Sequence, residues 1–184
     1  MGVPSRIGVF DSGVGGLTVY RELRRLLPDG RIDYVADQAH APYGGRTLSE
    51  IRDWSHGIVT WLASRGARCV VVACNTASAA ALYSLRAAFP AIRIVGMEPA
   101  VKPAASGTKS GVIAVMATRG TFEGAPFSKV LREHANGKRV IPVVCPELVE
   151  CIEAGLADSS RVADMLRAWL EPVLVQGADR IVLG

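Results

Sequence analysis

The chain has 184 residues, 49% of them hydrophobic and 21% charged, the balance of one or two folded domains rather than of a disordered or fibrous chain. Its net charge is +4, with 4 Lys (Lys102, Lys109, Lys129, Lys138) and 17 Arg, but the densest basic run, Arg21 to Arg25, is broken by Glu22 and Leu23. That run reads as a solvated helix face, which argues against a nucleic-acid-binding protein. No apolar stretch approaches the ~20 residues of a membrane span.

The start, MGVPSRIGVFDSG, lacks a signal peptide's long apolar region, and Arg6 stands where a myristoylation pattern wants Ser or Thr. The four cysteines (Cys69, Cys74, Cys145, Cys151) show no CxxC spacing, and there are three histidines (His40, His56, His134). Neither a disulfide framework nor a zinc site is suggested, and a reducing cytoplasm is the expected location.

In chain order, Arg6 to Phe10 is a short buried strand running into Asp11-Ser-Gly-Val-Gly-Gly16. A helix follows, with Leu17, Tyr20, Leu23, Leu26 and Leu27 on one stripe. A dinucleotide fingerprint would need glycine at 18, which is Thr18, and no GKS or GKT follows for a phosphate-cradling loop. Asp11 and Ser12 project from the strand's carboxyl end; Asp11 fits a plain helix cap equally well. Ile32 to Ala36 is a second strand. The loop Asp37 to Gly45, with Pro42 and two glycines, is shaped rather than disordered. In it His40 and Tyr43 are either substrate contacts or packed loop aromatics. Thr47 to Arg65 is an amphipathic helix with Leu48, Ile51, Trp54, Ile58, Trp61 and Leu62 at spacings of three and four, which puts both tryptophans in the core.

The stretch Cys69 to Ala81, CVVVACNTASAAA, is the centre of the chain. Val70 to Ala73 is a buried parallel strand, and Thr76 to Ala88 an Ala-rich helix started by the capping types Asn75 and Thr76. Cys74 therefore stands at a strand's carboxyl end and a helix's amino end, the edge at which open α/β sheets bind ligands. The helix end favours the thiolate, and a nearby carboxylate opposes it. As a small residue Cys74 fits buried packing as well.

Ile92 to Val95 is a fourth strand, and Met97 to Pro103 turns the chain, placing a domain boundary near residue 97 (1–97 and 98–184). Ser106 to Gly111 is polar. The pattern then restarts with a strand at Gly111 to Met116, a turn at Ala117 to Thr121, a helix at Phe122 to His134 and a strand at Arg139 to Val144. Helical stretches cover Pro146 to Ala154 and Arg161 to Gln176, the second bent at Pro172, before a last strand at Asp179 to Leu183. The expected architecture is two Rossmann-like three-layer α/β halves with mostly parallel sheets and a cleft between them.

Four segments together resemble bacterial glutamate racemases of the cofactor-independent aspartate/glutamate racemase superfamily. They are FDSGVGGLTV (Phe10 to Val19), APYGGR (Ala41 to Arg46), VVACNTAS (Val71 to Ser78) and MATRGT (Met116 to Thr121). The resemblance implies inversion at the α-carbon of glutamate without cofactor or metal, supplying D-glutamate for peptidoglycan. It implies that two thiols flank the substrate, one removing the α-proton and the other returning a proton from the opposite face. On this chain it assigns the first thiol to Cys74 and substrate binding to Asp11, Ser12, Tyr43, Gly44, Asn75 and Thr76. Asp11 carries an orienting or proton-relaying role. Thr118 and Thr121 resemble a pair lining the cleft, and the acid assisting the second thiol falls on Glu153, with Glu147 and Glu150 as neighbours of the same type.

The second thiol of such enzymes lies in a Gly-Cys-Thr-His-Tyr-Pro-like segment directly after a strand. Here that strand is DRIVLG, which ends at Gly184. The resemblance thus implies a truncated chain, its first half short of closing elements, and weak or absent racemisation by this chain alone. Cys145, at a strand end, and Cys151, within a helix, are poor substitutes. The alternatives are a catalytically dead glutamate-binding or interaction fragment and a related aspartate or hydantoin racemase. The expected partner is glutamate, without nucleic acid or membrane, and a homodimer stays open.

Overall fold

The computed structural model describes residues 6–184, so the reading of the extreme amino terminus falls in part on residues outside the description. The chain divides into two compact units, residues 1–97 and 98–184.

The first unit is a four-stranded sheet of order β2-β1-β3-β4, built from β1 (Arg6–Asp11), β2 (Ile32–Ala36), β3 (Ala67–Val72) and β4 (Arg93–Gly96). Every pairing is parallel, with Phe10 beside Val35 on one side and Val72 on the other. Alternation along the strands builds two apolar layers. Phe10, Val70 and Val72 face α2 (Leu48–Ser64) and α3 (Asn75–Ala88), where Ile51, Val59, Leu62, Ala81 and Leu85 close the main core. Val9, Val71 and Ala73 face the other way, onto Val19 and Leu23 of α1 (Leu17–Leu26).

Two sequence expectations change here. Only part of the α1 stripe packs, because Leu17, Leu26 and Leu27 are exposed and the helix has no fully buried residue. The tryptophans also differ: Trp54 is partly buried against the core, but Trp61 is 49% exposed. Helix α2 has an apolar arc narrower than its sequence stripe, and Trp61 lies at its edge with the Arg65 guanidinium 4.9 Å from its ring centroid.

The second unit has a three-stranded parallel sheet of order β6-β5-β7, from β5 (Val112–Ala117), β6 (Arg139–Val144) and β7 (Arg180–Leu183). Ile113, Val115 and Val182 pack on α4 (Val101–Gly107) and α6 (Ala125–His134). Ala114, Met116, Val143 and Cys145 pack on the opposite side with Leu148 of α7 (Leu148–Glu153) and Val173 of α8 (Ser160–Val175). Helix α4 occupies a stretch expected to be a turn and polar loop. Pro103 is tolerated there because it is the third helical residue, where its missing N–H has no intrahelical carbonyl to lose. The helix expected from Phe122 splits into α5 (Arg119–Glu123) and α6, broken at extended Gly124, with Pro126 in the first turn of α6. Helix α8 continues through Pro172 to Val175.

Candidate active site

The site begins with the backbone at the carboxyl edge of the first sheet. Asp11 ends β1, and Ala73 N–H donates to Phe10 C=O at 2.8 Å, which carries the β1–β3 ladder one residue further. The next residues of the two strands, the Asp11-Ser12 turn and Cys74, are thereby side by side. The Cys74 thiol donates to Ser12 Oγ at 3.7 Å, across 62 residues of sequence.

Cys74 is itself the N-cap of α3, a place the sequence reading gave to Asn75 and Thr76. Its backbone is extended, its C=O accepts from Ser78 N–H at 2.9 Å, and its Sγ accepts from Ala77 N–H at 3.3 Å. Sulfur thus takes the role that a Ser or Asp oxygen fills at most helix starts. Ser78, fully buried, fixes the same turn: its Oγ donates to Val72 C=O at 3.1 Å and accepts from Met97 N–H at 2.9 Å.

Asp11 is buried, and its Oδ2 accepts from Gly13 N–H at 3.1 Å and from Gly16 N–H at 3.2 Å. One carboxylate oxygen therefore closes the glycine turn that holds Ser12. Tyr34 adds a second tie by donating from its hydroxyl to Gly13 C=O at 3.0 Å. The glycine at 16 is there for space: a Cβ would lie 2.7 Å from Asp11 Cβ, 2.9 Å from Ala73 Cβ and 2.9 Å from Tyr34 Oη.

The electrostatics oppose ionisation of the resting thiol. Burial, and next the Asp11 carboxylate, push the Cys74 thiol up to about 11, against the opposing pull of the Ala77 N–H and Ser12. Both influences weighed in the sequence are present, and the helix-end donor is outweighed.

Tyr43 lies in the same apolar cluster as Cys74, 1% exposed, within a short 3-10 turn over Tyr43–Gly45. Its hydroxyl donates to Asp37 Oδ2 at 2.5 Å, and burial followed by Asp37 pushes the phenol upward. Gly44 follows, half-buried. His40, one of the loop's two candidates, stacks on Trp54 with centroids 4.2 Å apart and its Nδ1 lies 2.8 Å from Asp37 Oδ1. Thr76 is buried at the first turn of α3, and Asn75 Oδ1 is a buried acceptor without a hydrogen-bond partner among the described residues. Asp11, Ser12, Cys74, Asn75 and Thr76 thus share one sheet edge, with Tyr43 packed beside them.

The other candidates are in the second unit. Thr118 caps α5, its Oγ1 accepting from Thr121 N–H at 3.3 Å and lying 3.1 Å from Thr121 Oγ1. Thr118 also lines an apolar cavity of about 470 Å³ with Cys145, Leu148 and Ile152. Glu153 ends α7 half-buried, whereas Glu147 is exposed, has a positive φ of 61° and is ion-paired with Arg161. Burial raises the Cys145 thiol to about 11, and Cys151 is buried as well. Asp37, Tyr34 and Ser78 carry no site signal in the sequence. Only their partners across the fold give them a role, and a lone Asp after a strand carries no such signal.

These features define a class: a parallel α/β protein with a thiol capping a helix at the carboxyl edge of the sheet, flanked by a carboxylate turn. The model of the family Asp/Glu/Hydantoin racemase matches residues 7–184, and the chain belongs to that family. Among curated relatives it is 54% identical over 178 residues to "Glutamate racemase" of Roseiflexus sp. (strain RS-1), covering 97% of this chain and 65% of the relative. It is 50% identical to "Glutamate racemase" of Ectopseudomonas mendocina (strain ymp), covering 97% and 68%. Among solved structures, Escherichia coli glutamate racemase in complex with L-glutamate and activator UDP-MurNAc-Ala superposes with a TM-score of 0.86 at 38% identity, covering 99% of this chain and 69% of that one. Glutamate racemase isoform RacE1 from Bacillus anthracis gives a TM-score of 0.83 at 36% identity, covering 96% and 66%. The chain therefore spans about two thirds of the length of the relatives it matches.

Proposed function

We propose that this chain carries one half of a glutamate racemase site, in which Cys74 moves the α-proton of glutamate on one face; the D-glutamate that a complete two-thiol site makes serves peptidoglycan synthesis in the cytoplasm. The observation that carries the reading is the Cys74 environment: a helix-capping thiol in contact with Ser12 and beside Asp11, in a chain whose relatives bear the name glutamate racemase. Among the described residues no helix is long and apolar enough to cross a membrane.

The chemistry needs a thiolate, and the resting thiol is held up at about 11 by burial and Asp11. Glutamate brings its own correction. An α-ammonium seated by Asp11 and the unpartnered Asn75 Oδ1 places a positive charge close to Sγ and lowers the thiol toward the working pH. Thiolate formation is then coupled to substrate binding, and the empty site does not hold a nucleophile exposed to oxidants. The substrate carboxylates suit the Ser12 and Thr76 hydroxyls and the N–H groups at Gly44 and the α3 start. Removing the α-proton leaves a carbanion, and reprotonation by the same thiol restores the starting hand. Inversion requires a second donor on the other face; Glu153 is the proposed acid assisting it, and Thr118 and Thr121 are proposed substrate contacts.

The test is proton NMR of the 184-residue chain with L-glutamate and with D-glutamate in deuterated buffer. The α-hydrogen of one enantiomer exchanges, inversion is slow or absent, and Cys74→Ser abolishes exchange. Calorimetric binding without exchange identifies a binding fragment instead. Exchange that survives Cys74→Ser overturns the assignment of the thiol.

A further inference from the structure

The loop between β2 and α2 carries a polar cluster of Asp37, His40 and Tyr43, and the proposed chemistry gives Asp37 and His40 no task. The Asp37 side chain is 12% exposed, yet it takes the Tyr43 hydroxyl at 2.5 Å and faces His40 Nδ1 at 2.8 Å. With a carboxylate as its neighbour, Nδ1 carries the proton and donates. Asp37 is itself anchored, because its N–H donates to Asp11 C=O at 2.9 Å. The His40 ring lies nearly parallel to Trp54, at 16°, and the Tyr43 ring leans on the same indole with centroids 5.4 Å apart. Tyr43 in turn packs in the cluster that encloses Cys74, Phe10 and Ala77.

A largely buried carboxylate is a costly way to hold a loop, and apolar residues in its place would do so more cheaply. What it adds is direction: a charge-assisted bond fixes the phenol's rotation and depth, which apolar packing alone leaves free. We propose that Asp37, supported by His40, is a positioning residue that holds Tyr43 in the packing around Cys74 and so controls how readily the thiol is reached. Its meaning for catalysis rests on Cys74 being the proton-transfer thiol; the packing claim itself does not.

The experiment measures the rate of Cys74 alkylation by iodoacetamide in the folded chain without glutamate, resolved from Cys69, Cys145 and Cys151 by peptide mass spectrometry. Asp37→Asn and Tyr43→Phe each speed alkylation about tenfold, the scale set by losing a hydrogen bond to a charged group. Tyr43→Phe keeps the Asp37 charge, so its effect separates the tether from simple electrostatics. The double variant reacts no faster than the faster single one, because both cut the same link. His40→Ala speeds alkylation, and His40→Asn, whose amide nitrogen can replace Nδ1–H, returns it to the parent rate. His40 has a 41% exposed side chain, so this pair decides the matter if Asp37→Asn does not fold. Rates all within about twofold of the parent, additive effects in the double variant, or equal rates for the two His40 variants overturn the proposal. Because no substrate is used, a chain inert toward glutamate leaves this inference standing. Unchanged alkylation in variants of a chain that does exchange the α-hydrogen refutes this inference alone.

Discussion

Replacing Gly16 with alanine sets two effects of opposite sign against each other. Gly16 has φ −65° and ψ −10°, a conformation alanine adopts without strain, so chain entropy alone predicts a gain of ~0.5–1 kcal/mol. Space predicts the reverse. The new methyl would stand 2.7 Å from Asp11 Cβ and 2.9 Å from Ala73 Cβ, atoms fixed by β1 and by the end of β3, as well as 2.9 Å from Tyr34 Oη. The tyrosine tip can swing away, but two Cβ atoms move only with their backbones. Overpacking of this kind costs ~1–3 kcal/mol, which leaves a net loss of ~1–2 kcal/mol. With a urea slope of ~1–3 kcal/mol per molar, the midpoint falls by roughly 0.3–2 M. Trp54 and Trp61 report on the first unit and Trp169 on the second. Pulse alkylation of Cys74 in urea therefore follows the first unit by itself. Gly57→Ala is the control, in the middle of α2 with nothing within 4 Å of the added carbon, and it raises the midpoint through the same entropy and helix propensity. A Gly16→Ala midpoint equal to or above the parent's refutes the crowding argument.

The Cys74 thiol makes stability depend on alkaline pH: its folded value of about 11 lies above the ordinary 9.0, so its contribution is complete below about pH 9 and is lost as pH rises toward 11. The rise from 9.0 to about 11 on this buried group amounts to ~3 kcal/mol at most, read as the difference in urea stability between the parent and Cys74→Ser across pH 8 to 11. Thr47→Ala removes the oxygen that accepts from Glu50 N–H and breaks the capping box of α2, lowering stability by ~1 kcal/mol in the same urea assay. Asp179 accepts from Thr108 Oγ1 at 2.5 Å, Lys109 N–H at 2.7 Å and Ser110 N–H at 3.0 Å, bonds that hold its carboxyl below the usual 3.8. Its contribution is therefore complete above about pH 4 and fades as acid protonates it, so the parent's advantage over Asp179→Asn shrinks below that pH.

Most elements were legible because local pattern and tertiary need agree. The runs at Arg6, Ile32, Val70, Gly111, Arg139 and Asp179 are short, apolar and bounded by turn residues, and each is a strand. Helix α4 is not legible locally because Pro103 stands at its third position and Ser106 and Gly107 close its seven residues, and it is held by packing of Val101, Ala104 and Ala105 rather than by propensity. Trp61 fits the core pattern yet is half exposed, because periodicity identifies a face without measuring how much of that face is covered.

The sequence by itself determined the strand-thiol-helix arrangement at Cys74, the glycine turn after Asp11 and the family to which the motifs belong, since all are written in contiguous residues. Tertiary structure decided the rest. It made Cys74 the cap of its own helix, set Ser12 3.7 Å from the sulfur, and turned Asp37 and Tyr34 into ties on the two flanking loops. It also raised the thiol's affinity for its proton, because desolvation and the Asp11 charge depend on what surrounds the sulfur in three dimensions. A linear pattern can place a group at the edge of a sheet; only the folded neighbours decide its protonation and what holds it there.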